Sequence, residues 1–193
     1  MNPPPVSEVL AFWFGNPPVT APRAEWFRKD EAFDATIRDR FGAVIEAALA
    51  RALEGPDWPG TPTGVLARLI VLDQFTRNAF RGTARAFAGD GSALAWARAL
   101  VASGGDRELP PLQRWFVYLP FEHAEDAAMQ AESLRLFGAL AAEHPALDDA
   151  RVWAVKHAEV IARFGRYPHR NAILGRKSTP EELAFLAQPG SSF

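Results

Sequence analysis

Four short segments of this 193-residue sequence carry charged or polar side chains next to apolar helical patterns, and they hold the residues whose types could do chemistry. In the first segment, Asp73, Arg77 and Arg81 recur at four-residue spacing, so they share one face if a helix continues through them. The segment follows the most apolar stretch of the chain, and a buried charge needs a partner. The spacing therefore predicts either an Asp73–Arg77 ion pair or a ligand site to which Asp73, Arg77 and Asn78 contribute.

The second segment opens a helix predicted over residues 122–143. His123 and Asp126 stand three residues apart, with Gln130 one turn further on the same face. This spacing suits a histidine acting as a general base whose tautomer is set by Asp126, or a pair of metal ligands. The helix dipole alone also explains acidic residues such as Glu122 in a first turn. A dinuclear helical-bundle site needs two Glu-x-x-His motifs, and the sequence has none, so we predict no metal and no other cofactor.

The third candidate is His157, which precedes Ile161 by one helical turn and so lies near an apolar helix face. A single histidine in that position is more often a hydrogen-bonded core residue than a ligand. His157 is nevertheless an alternative to His123 as the group that handles a proton.

The fourth segment is an arginine-rich loop within residues 163–177, interrupted by Gly165 and stiffened by Pro168. Forked guanidinium groups on an ordered loop suit the recognition of a carboxylate or a phosphate. The alternative is a structural loop whose arginines pair with the acidic residues of the other segments, Glu122, Glu125, Asp126 and Asp73. The candidate ligand-binding residues are Glu122 of the second segment and Arg166, His169, Arg170 and Asn171 of this loop.

The order of these motifs resembles an uncharacterised bacterial family, a domain of unknown function (DUF 924). The resemblance covers nearly the whole chain, and it implies an all-helical fold similar to tetratricopeptide-like helical hairpins but no reaction. Thr76 and Ala124 stand where the family often has proline and serine. The motifs that carry the resemblance are Phe12-Trp13-Phe14-Gly15, Leu72-Asp73-Gln74-Phe75-Thr76-Arg77-Asn78, Tyr118-Leu119-Pro120-Phe121-Glu122-His123 and Arg163-Phe164-Gly165-Arg166-Tyr167-Pro168-His169-Arg170-Asn171.

Alanine and leucine dominate the sequence, and no stretch alternates apolar and polar residues long enough for a strand, so the fold class is all-α. Short connections predict one domain over residues 1–193, built of antiparallel helical hairpins in a tetratricopeptide-like stack or bundle, with frayed tails at 1–5 and 188–193.

The clearest element predictions are helical. A long helix spans residues 30–55 with Asp30 as its N-cap, and a buried one spans 64–75. A helix starting at residue 110 stops at Pro120, and Thr179 with Glu182 forms a capping box that starts the last helix.

The composition of the chain argues against several classes of function. The formal net charge of −2 and pI of about 6.1 argue against nucleic-acid or membrane-surface binding. The sequence has no cysteine, which excludes disulfides and thiolate catalysis, and no signal peptide is recognisable, so we predict a cytoplasmic protein. All six tryptophans are interpreted as core anchors.

Two functions compete. In one, the polar segments converge on a cleft between helices that binds a small anionic molecule, with acid/base chemistry from His123, Asp126 or His157. In the other, the chain is a helical protein-interaction module and the polar motifs form a buried ionic network. The sequence leaves the oligomeric state open.

Overall fold

The computed structural model describes residues 3–191, and over this range it is helical with no β-strand, which confirms the all-α fold class. The chain divides into two compact units. Unit 1 comprises the residues up to Arg81 together with Arg85–Pro120, and unit 2 comprises Gly82–Ala84 together with the residues from Phe121 onward. The prediction of one domain and of a tetratricopeptide-like arrangement stays a prediction.

Unit 1 is built from helices that bury aromatic and aliphatic side chains. Its centre is an aromatic cluster in which Trp13, Phe75 and Phe116 are each almost fully buried. Ring centroids of Trp13 and Phe116 lie 5.7 Å apart in an edge-to-face arrangement, which is a favoured geometry for aromatic pairs. The α-helices of this unit are α1 (Val6–Phe14), α2 (Glu31–Leu49), α3 (Pro62–Leu69), α4 (Thr76–Ala79), α5 (Asp90–Ala102) and α6 (Pro111–Glu122), whose last two residues belong to unit 2.

Helix α2 begins as predicted and ends earlier than predicted. The Asp30 carboxylate accepts hydrogen bonds from the backbone N–H groups of Ala32 and Phe33 at 3.0 and 3.1 Å, which confirms the N-cap. The helix ends at Leu49 and not near residue 55, because Arg51 adopts φ +58° and turns the chain out of the helix.

The predicted buried helix over residues 64–75 exists, with a different internal geometry. α3 passes directly into a π-helical segment, Ile70–Phe75, and then into α4. Residues 64–76 are all buried, as the apolar pattern indicates. Arg81 lies beyond the end of α4, so the predicted common helix face of Asp73, Arg77 and Arg81 is wrong at its last member.

The prediction that Pro120 ends its helix is wrong. Proline lacks the N–H that would bond to the fourth preceding carbonyl, yet α6 continues through Pro120 to Glu122. The prediction of one helix over residues 122–143 is also wrong. The chain leaves helical geometry at residues 123–126, and Asp126 then caps a new helix.

Unit 2 contains a helical hairpin, α7 (Ala127–Glu143) and α8 (Asp148–Phe164), followed by the short helix α9 (Pro180–Leu186). α8 ends at Gly165, whose φ of +69° is the left-handed conformation that glycine adopts without strain. The predicted capping box of α9 is confirmed, with Thr179 and Glu182 bonded reciprocally.

Of the tails predicted to fray, residues 1–2 and 192–193 lie outside the described range. Pro5 is the N-cap of α1, and the Ser191 hydroxyl donates to the Leu186 carbonyl at 3.1 Å. Within residues 3–191, no helix combines the length and the apolar character needed to cross a bilayer.

Candidate functional site

A cavity of about 270 Å³ lies among α2, α3 with its π-helical extension, and α5 of unit 1. Most of its wall is apolar, and its polar groups are two arginines and one serine. Sites for small molecules combine a mostly apolar wall with a few placed polar groups in this way, and this volume lies just below their usual range of about 300–1,000 Å³. We call it the arginine cavity, and it is lined by Ala48, Arg51, Leu53, Arg68, Leu72, Ser92, Ala95 and Trp96.

Arg68 places a buried positive charge in the wall of the arginine cavity, and the residue is only 6% exposed. Its Nη1 donates to the carbonyl oxygens of Pro59 and Gly64 at 2.8 and 3.1 Å, and its Nη2 donates to those of Leu53, at 3.1 Å, and Trp58. These bonds use the Nη hydrogens and leave the Nε–H. Burial lowers the pKa of Arg68, and no carboxylate within residues 3–191 forms an ion pair with it.

Arg51 lines the same cavity from a conformation that glycine normally occupies. The Ala52 N–H bonds to the Ala47 carbonyl at 2.8 Å and the Arg51 N–H to the Ala48 carbonyl at 3.0 Å, which together form a Schellman motif with Arg51 at its left-handed position. A side chain at that position costs about 1–2 kcal/mol. The Arg51 side chain is exposed and has no ion pair or hydrogen bond to any of the described residues.

Trp96 forms an aromatic wall of the cavity and is 39% exposed. The guanidinium carbon of Arg68 lies 5.0 Å from the centroid of the Trp96 ring and 5.6 Å from that of Trp58. The interpretation of every tryptophan as a core anchor is therefore wrong for Trp96, and also for Trp153, which is 46% exposed. One signal for this site was present in the sequence, because Arg68 is the only charged residue between residues 65 and 72.

The predicted ion pair of Asp73 and Arg77 is present in unit 1. Arg77 Nη1 lies 2.9 Å from Asp73 Oδ1, and the same guanidinium forms a bidentate contact with Asp90 at 2.9 and 3.1 Å. The exposed fractions of the Asp73 and Arg77 side chains are 2% and 19%. These contacts fit a structural role for Asp73 and Arg77, which fasten the π-helical segment to the start of α5.

Asn78 and Arg81 share a partner that the sequence did not indicate. Asn78 Nδ2 donates to Asp34 of α2 at 2.7 Å, and Arg81 donates to the same carboxylate at 2.7 and 3.0 Å. Asp34 is 3% exposed. Its partners are distant in sequence, so no helical spacing could reveal the pairing.

In unit 2, several predicted site residues surround Tyr167. The ring centroids of His157 and His169 each lie 5.6 Å from the Tyr167 centroid, and the Arg170 guanidinium lies 4.6 Å from it. The His123 and His157 centroids are 6.2 Å apart. With Glu122, which contacts His157, these side chains form what we call the Tyr167 cluster, which brings His123, His157, His169 and Arg170 together; their roles as site residues stay predictions.

His157 is held by two acceptors. Its Nδ1 lies 2.9 Å from the Trp153 carbonyl oxygen and 3.2 Å from Glu122 Oε1. Burial of the ring, together with the nearby charge of His123, lowers the pKa of His157 to about 3, so the imidazole is neutral near pH 7. Since both neighbours accept hydrogen bonds, the single proton of the neutral ring belongs on Nδ1.

The end of α6 is fixed by Gln130 and Tyr167. Gln130 Nε2 donates to the carbonyl oxygens of Glu122 and Ala124 at 2.7 and 2.8 Å, and the Tyr167 hydroxyl donates to the Glu122 carbonyl as well. Burial raises the pKa of Tyr167, which keeps this hydroxyl protonated. The backbone that carries Glu122 and His123 is therefore held from two sides, and these bonds explain why α6 ends where it does.

Asp126 does not orient a histidine, as its spacing from His123 predicted, but caps a helix. It is exposed, and its Oδ1 accepts the backbone N–H of Met129 at 2.9 Å as the N-cap of α7. His123 precedes that helix, so the predicted common face of His123, Asp126 and Gln130 is wrong. The cause is the helix break at residues 123–126.

The arginine-rich loop is tied to α9 through Glu182. Arg166 donates to both carboxylate oxygens of Glu182 at 2.7 and 2.8 Å, and Asn171 and the Thr179 N–H donate to Oε2 at 3.2 and 2.7 Å. Arg166 is the main cause that lowers the pKa of Glu182 to about 2. The structural alternative predicted that the arginines of this loop form ion pairs, but with Glu122, Glu125, Asp126 and Asp73 and not with Glu182.

A second tie, which the sequence did not single out, is formed by Arg176. Its guanidinium contacts both oxygens of Glu125 at 2.5 and 2.9 Å and donates to Asn171 Oδ1 at 2.9 Å. Glu125 also accepts the Tyr167 N–H at 2.8 Å. These contacts fix the loop against the connection between α6 and α7, and so position the Tyr167 cluster.

Over residues 9–190 the sequence matches a family described as bacterial protein of unknown function (DUF924). The chain belongs to this family. It is also similar to a protein of unknown function from Agrobacterium tumefaciens, with 39% identity, a TM-score of 0.81 and coverage of 94% of this chain and 96% of that one. None of the curated proteins matches it. The resemblance read from the motifs is confirmed, and no reaction comes with membership in DUF924.

Proposed function

We propose that this DUF924 protein binds a small anionic molecule, a carboxylate or phosphate ester with an apolar part, in the arginine cavity of unit 1. The observation that carries the proposal is the pair of arginines, Arg51 and Arg68, that line one cavity without a carboxylate partner within residues 3–191. The ligand class is the one predicted from the sequence. The site differs from the predicted loop, because Arg166 already forms a bidentate pair with Glu182.

The charge of Arg68 is the first support. Four backbone carbonyl oxygens solvate the guanidinium, but they do not neutralise it, and a buried charge is costly unless an opposite charge balances it. An anion in the cavity would supply that charge and accept the Nε–H. A hydrogen bond to a charged group contributes about 1.5–3 kcal/mol.

The backbone at Arg51 is the second support. Unfavourable conformations persist where the residue serves a purpose other than stability, and they concentrate at ligand sites. Glycine would satisfy the Schellman turn without strain, whereas arginine brings a planar, permanently charged fork that binds a carboxylate or phosphate through two bonds. Arg51 therefore suits the role of the main direct contact to the anion.

The apolar wall decides what the rest of the ligand is. Leu53, Leu72 and the partly exposed Trp96 offer a surface on which an aromatic or aliphatic group packs. The lining contains no histidine and no carboxylate that could act as a general acid or base, so we propose binding at this cavity without a proton-transfer step. The predicted role of the protein as an interaction module stays a prediction, as do its cytoplasmic location and its partners.

The test is isothermal titration of the protein with phenyl phosphate, and with inorganic phosphate and phenol as its separate parts. We expect phenyl phosphate to bind more tightly than either part. Arg51→Asn removes the charge with a residue that tolerates the left-handed conformation, and it should weaken binding about 10–100-fold, as the loss of a charged hydrogen bond implies.

The matched control is Arg98→Gln, which removes one positive charge from an exposed position of α5 outside the cavity lining. It should leave the dissociation constant within about twofold of the wild type, because an exposed charge acts weakly through water. Equal losses in the two variants, or no binding of phenyl phosphate, would contradict the proposal.

A further inference from the structure

Three side chains of the Tyr167 cluster bring potential metal ligands together. Glu122 offers a carboxylate oxygen, and His123 and His157 each offer a ring nitrogen, with every one of these atoms within 4.8 Å of the other two. Glu122 and His123 come from the end of α6 and the residue after it, and His157 comes from α8. The expectation of no metal considered ligand spacing within single helices, and this set joins two.

We infer that Glu122, His123 and His157 bind one divalent first-row transition metal ion, of which Zn²⁺ suits the donors best. Two imidazoles and one carboxylate form the ligand set of catalytic zinc sites, and the same donors in a facial arrangement hold non-haem iron. Three protein ligands leave at least one coordination position for water or a substrate. This inference is independent of the proposed binding at the arginine cavity.

The distances fit such a site. Ligand atoms at the corners of a zinc tetrahedron with bonds of about 2.0–2.2 Å lie about 3.4 Å apart. One candidate ligand atom from each of Glu122, His123 and His157 lies within 4.8 Å of the other two, so the set needs only a small movement of the side chains to close on an ion. His123 is half-buried in the connection that follows α6, whereas Glu122 and His157 are buried.

The surroundings of the ligands are already fixed. The Tyr167 hydroxyl and the Gln130 amide both donate to the Glu122 carbonyl, and Gln130 also holds the Ala124 carbonyl. These bonds fix the backbone from which the Glu122 and His123 side chains extend. The Trp153 carbonyl, 2.9 Å from His157 Nδ1, is the kind of backbone acceptor that fixes the ring of a ligating histidine.

The Arg170 guanidinium of the cluster acts against a bound cation. It lies 4.6 Å from the centroid of the Tyr167 ring and is permanently charged. The Glu122 carboxylate would balance one of the two positive charges of the ion. We therefore expect affinity for Zn²⁺ weaker than that of a closed four-ligand structural site.

The experiment is titration of chelator-treated, metal-free protein with Co²⁺ and Zn²⁺, followed by visible absorption and calorimetry, with Mg²⁺ as the negative probe. The inference expects one ion per chain, a Co²⁺ spectrum of low coordination number, and no binding of Mg²⁺, which prefers oxygen ligands. His123→Gln should weaken Co²⁺ binding by about 100-fold or more, because a direct ligand is lost.

His157→Gln should weaken Co²⁺ binding to the same extent. Because His157 is buried, its substitution can also disturb folding, so the test rests on the variant of the half-buried His123. Circular dichroism checks that both variants are folded. The matched control is His144→Gln, which removes a histidine at the C-cap of α7, outside the ligand set. Absence of the Co²⁺ spectrum in the wild type overturns the inference, as does retention of tight binding in folded His123→Gln. Loss of binding in His144→Gln overturns it too, since the ion would then lie elsewhere.

Discussion

Replacing Arg51 by glycine should make the protein more stable while it weakens anion binding. Arg51 holds φ +58° at the end of α2, and the hydrogen bonds of the Schellman turn keep it there. Glycine accepts this conformation without a clash between its side chain and the backbone. If the arginine is present for ligand binding, stability and binding should change in opposite directions in Arg51→Gly.

The magnitude follows from two opposing contributions. Relief of the left-handed conformation contributes about 1–2 kcal/mol. Glycine also gains freedom in the unfolded chain, which costs about 0.5–1 kcal/mol. The net gain is about 1 kcal/mol, and in a chain of this length that corresponds to a rise in Tm of about 2–4 °C.

Urea denaturation and thermal melting measure the stability change, and Arg51→Ala is the matched control. Alanine also lacks the guanidinium, but it keeps the Cβ that disfavours positive φ, so it should not gain stability. Phenyl phosphate should bind both variants equally weakly. An Arg51→Gly protein no more stable than Arg51→Ala would refute the strain argument, and unchanged affinity in both variants would refute the role of the side chain.

Three further predictions concern packing and the polar loop. In chemical denaturation, Gly89→Ala should destabilise the protein by about 3 kcal/mol, because a Cβ there would lie 2.0 Å from the Leu72 carbonyl oxygen. The control Gly91→Ala should be neutral or slightly stabilising in the same assay, because its Cβ would have no neighbouring atom within 4 Å. Glu182→Ala should cost about 2–3 kcal/mol in the same assay, since it leaves Arg166 without its carboxylate and removes half of the capping box, and a cost below 1 kcal/mol would contradict the structural role of the loop. The pKa of Glu182 is lowered from 4.5 to about 2, so the contribution of its carboxylate to folding stability is present above pH 4.5 and is lost as the pH falls toward 2. The difference in unfolding free energy between wild type and Glu182→Gln should therefore shrink over that range. A difference that grows on acidification would contradict this prediction.

Local patterns were sufficient wherever the interaction was local. The Asp30 cap, the Thr179–Glu182 capping box and the Asp73–Arg77 pair each join residues within four positions, and all three are present. The all-α fold class follows from composition and periodicity for the same reason. Pro120 was misjudged because a proline near a helix end removes one hydrogen bond without stopping the next residues from staying helical.

Contacts between residues on separate elements could not be predicted from the sequence. His157 meets Glu122 because α8 packs beside the connection after α6, and Asp34 meets Arg81 across unit 1. Arg51 could not be recognised as strained, because the end of α2 is set by the turn itself and nothing in the sequence marks it. The arginine cavity and the Tyr167 cluster both depend on such non-local contacts.

The most direct measurement of the central claim is a crystal structure of the protein grown with phenyl phosphate. The account predicts the phosphate between the guanidinium groups of Arg51 and Arg68, with the phenyl ring against Trp96. Phenyl phosphate bound only elsewhere on the protein, or an arginine cavity without it at a concentration that saturates the calorimetric titration, would contradict the claim.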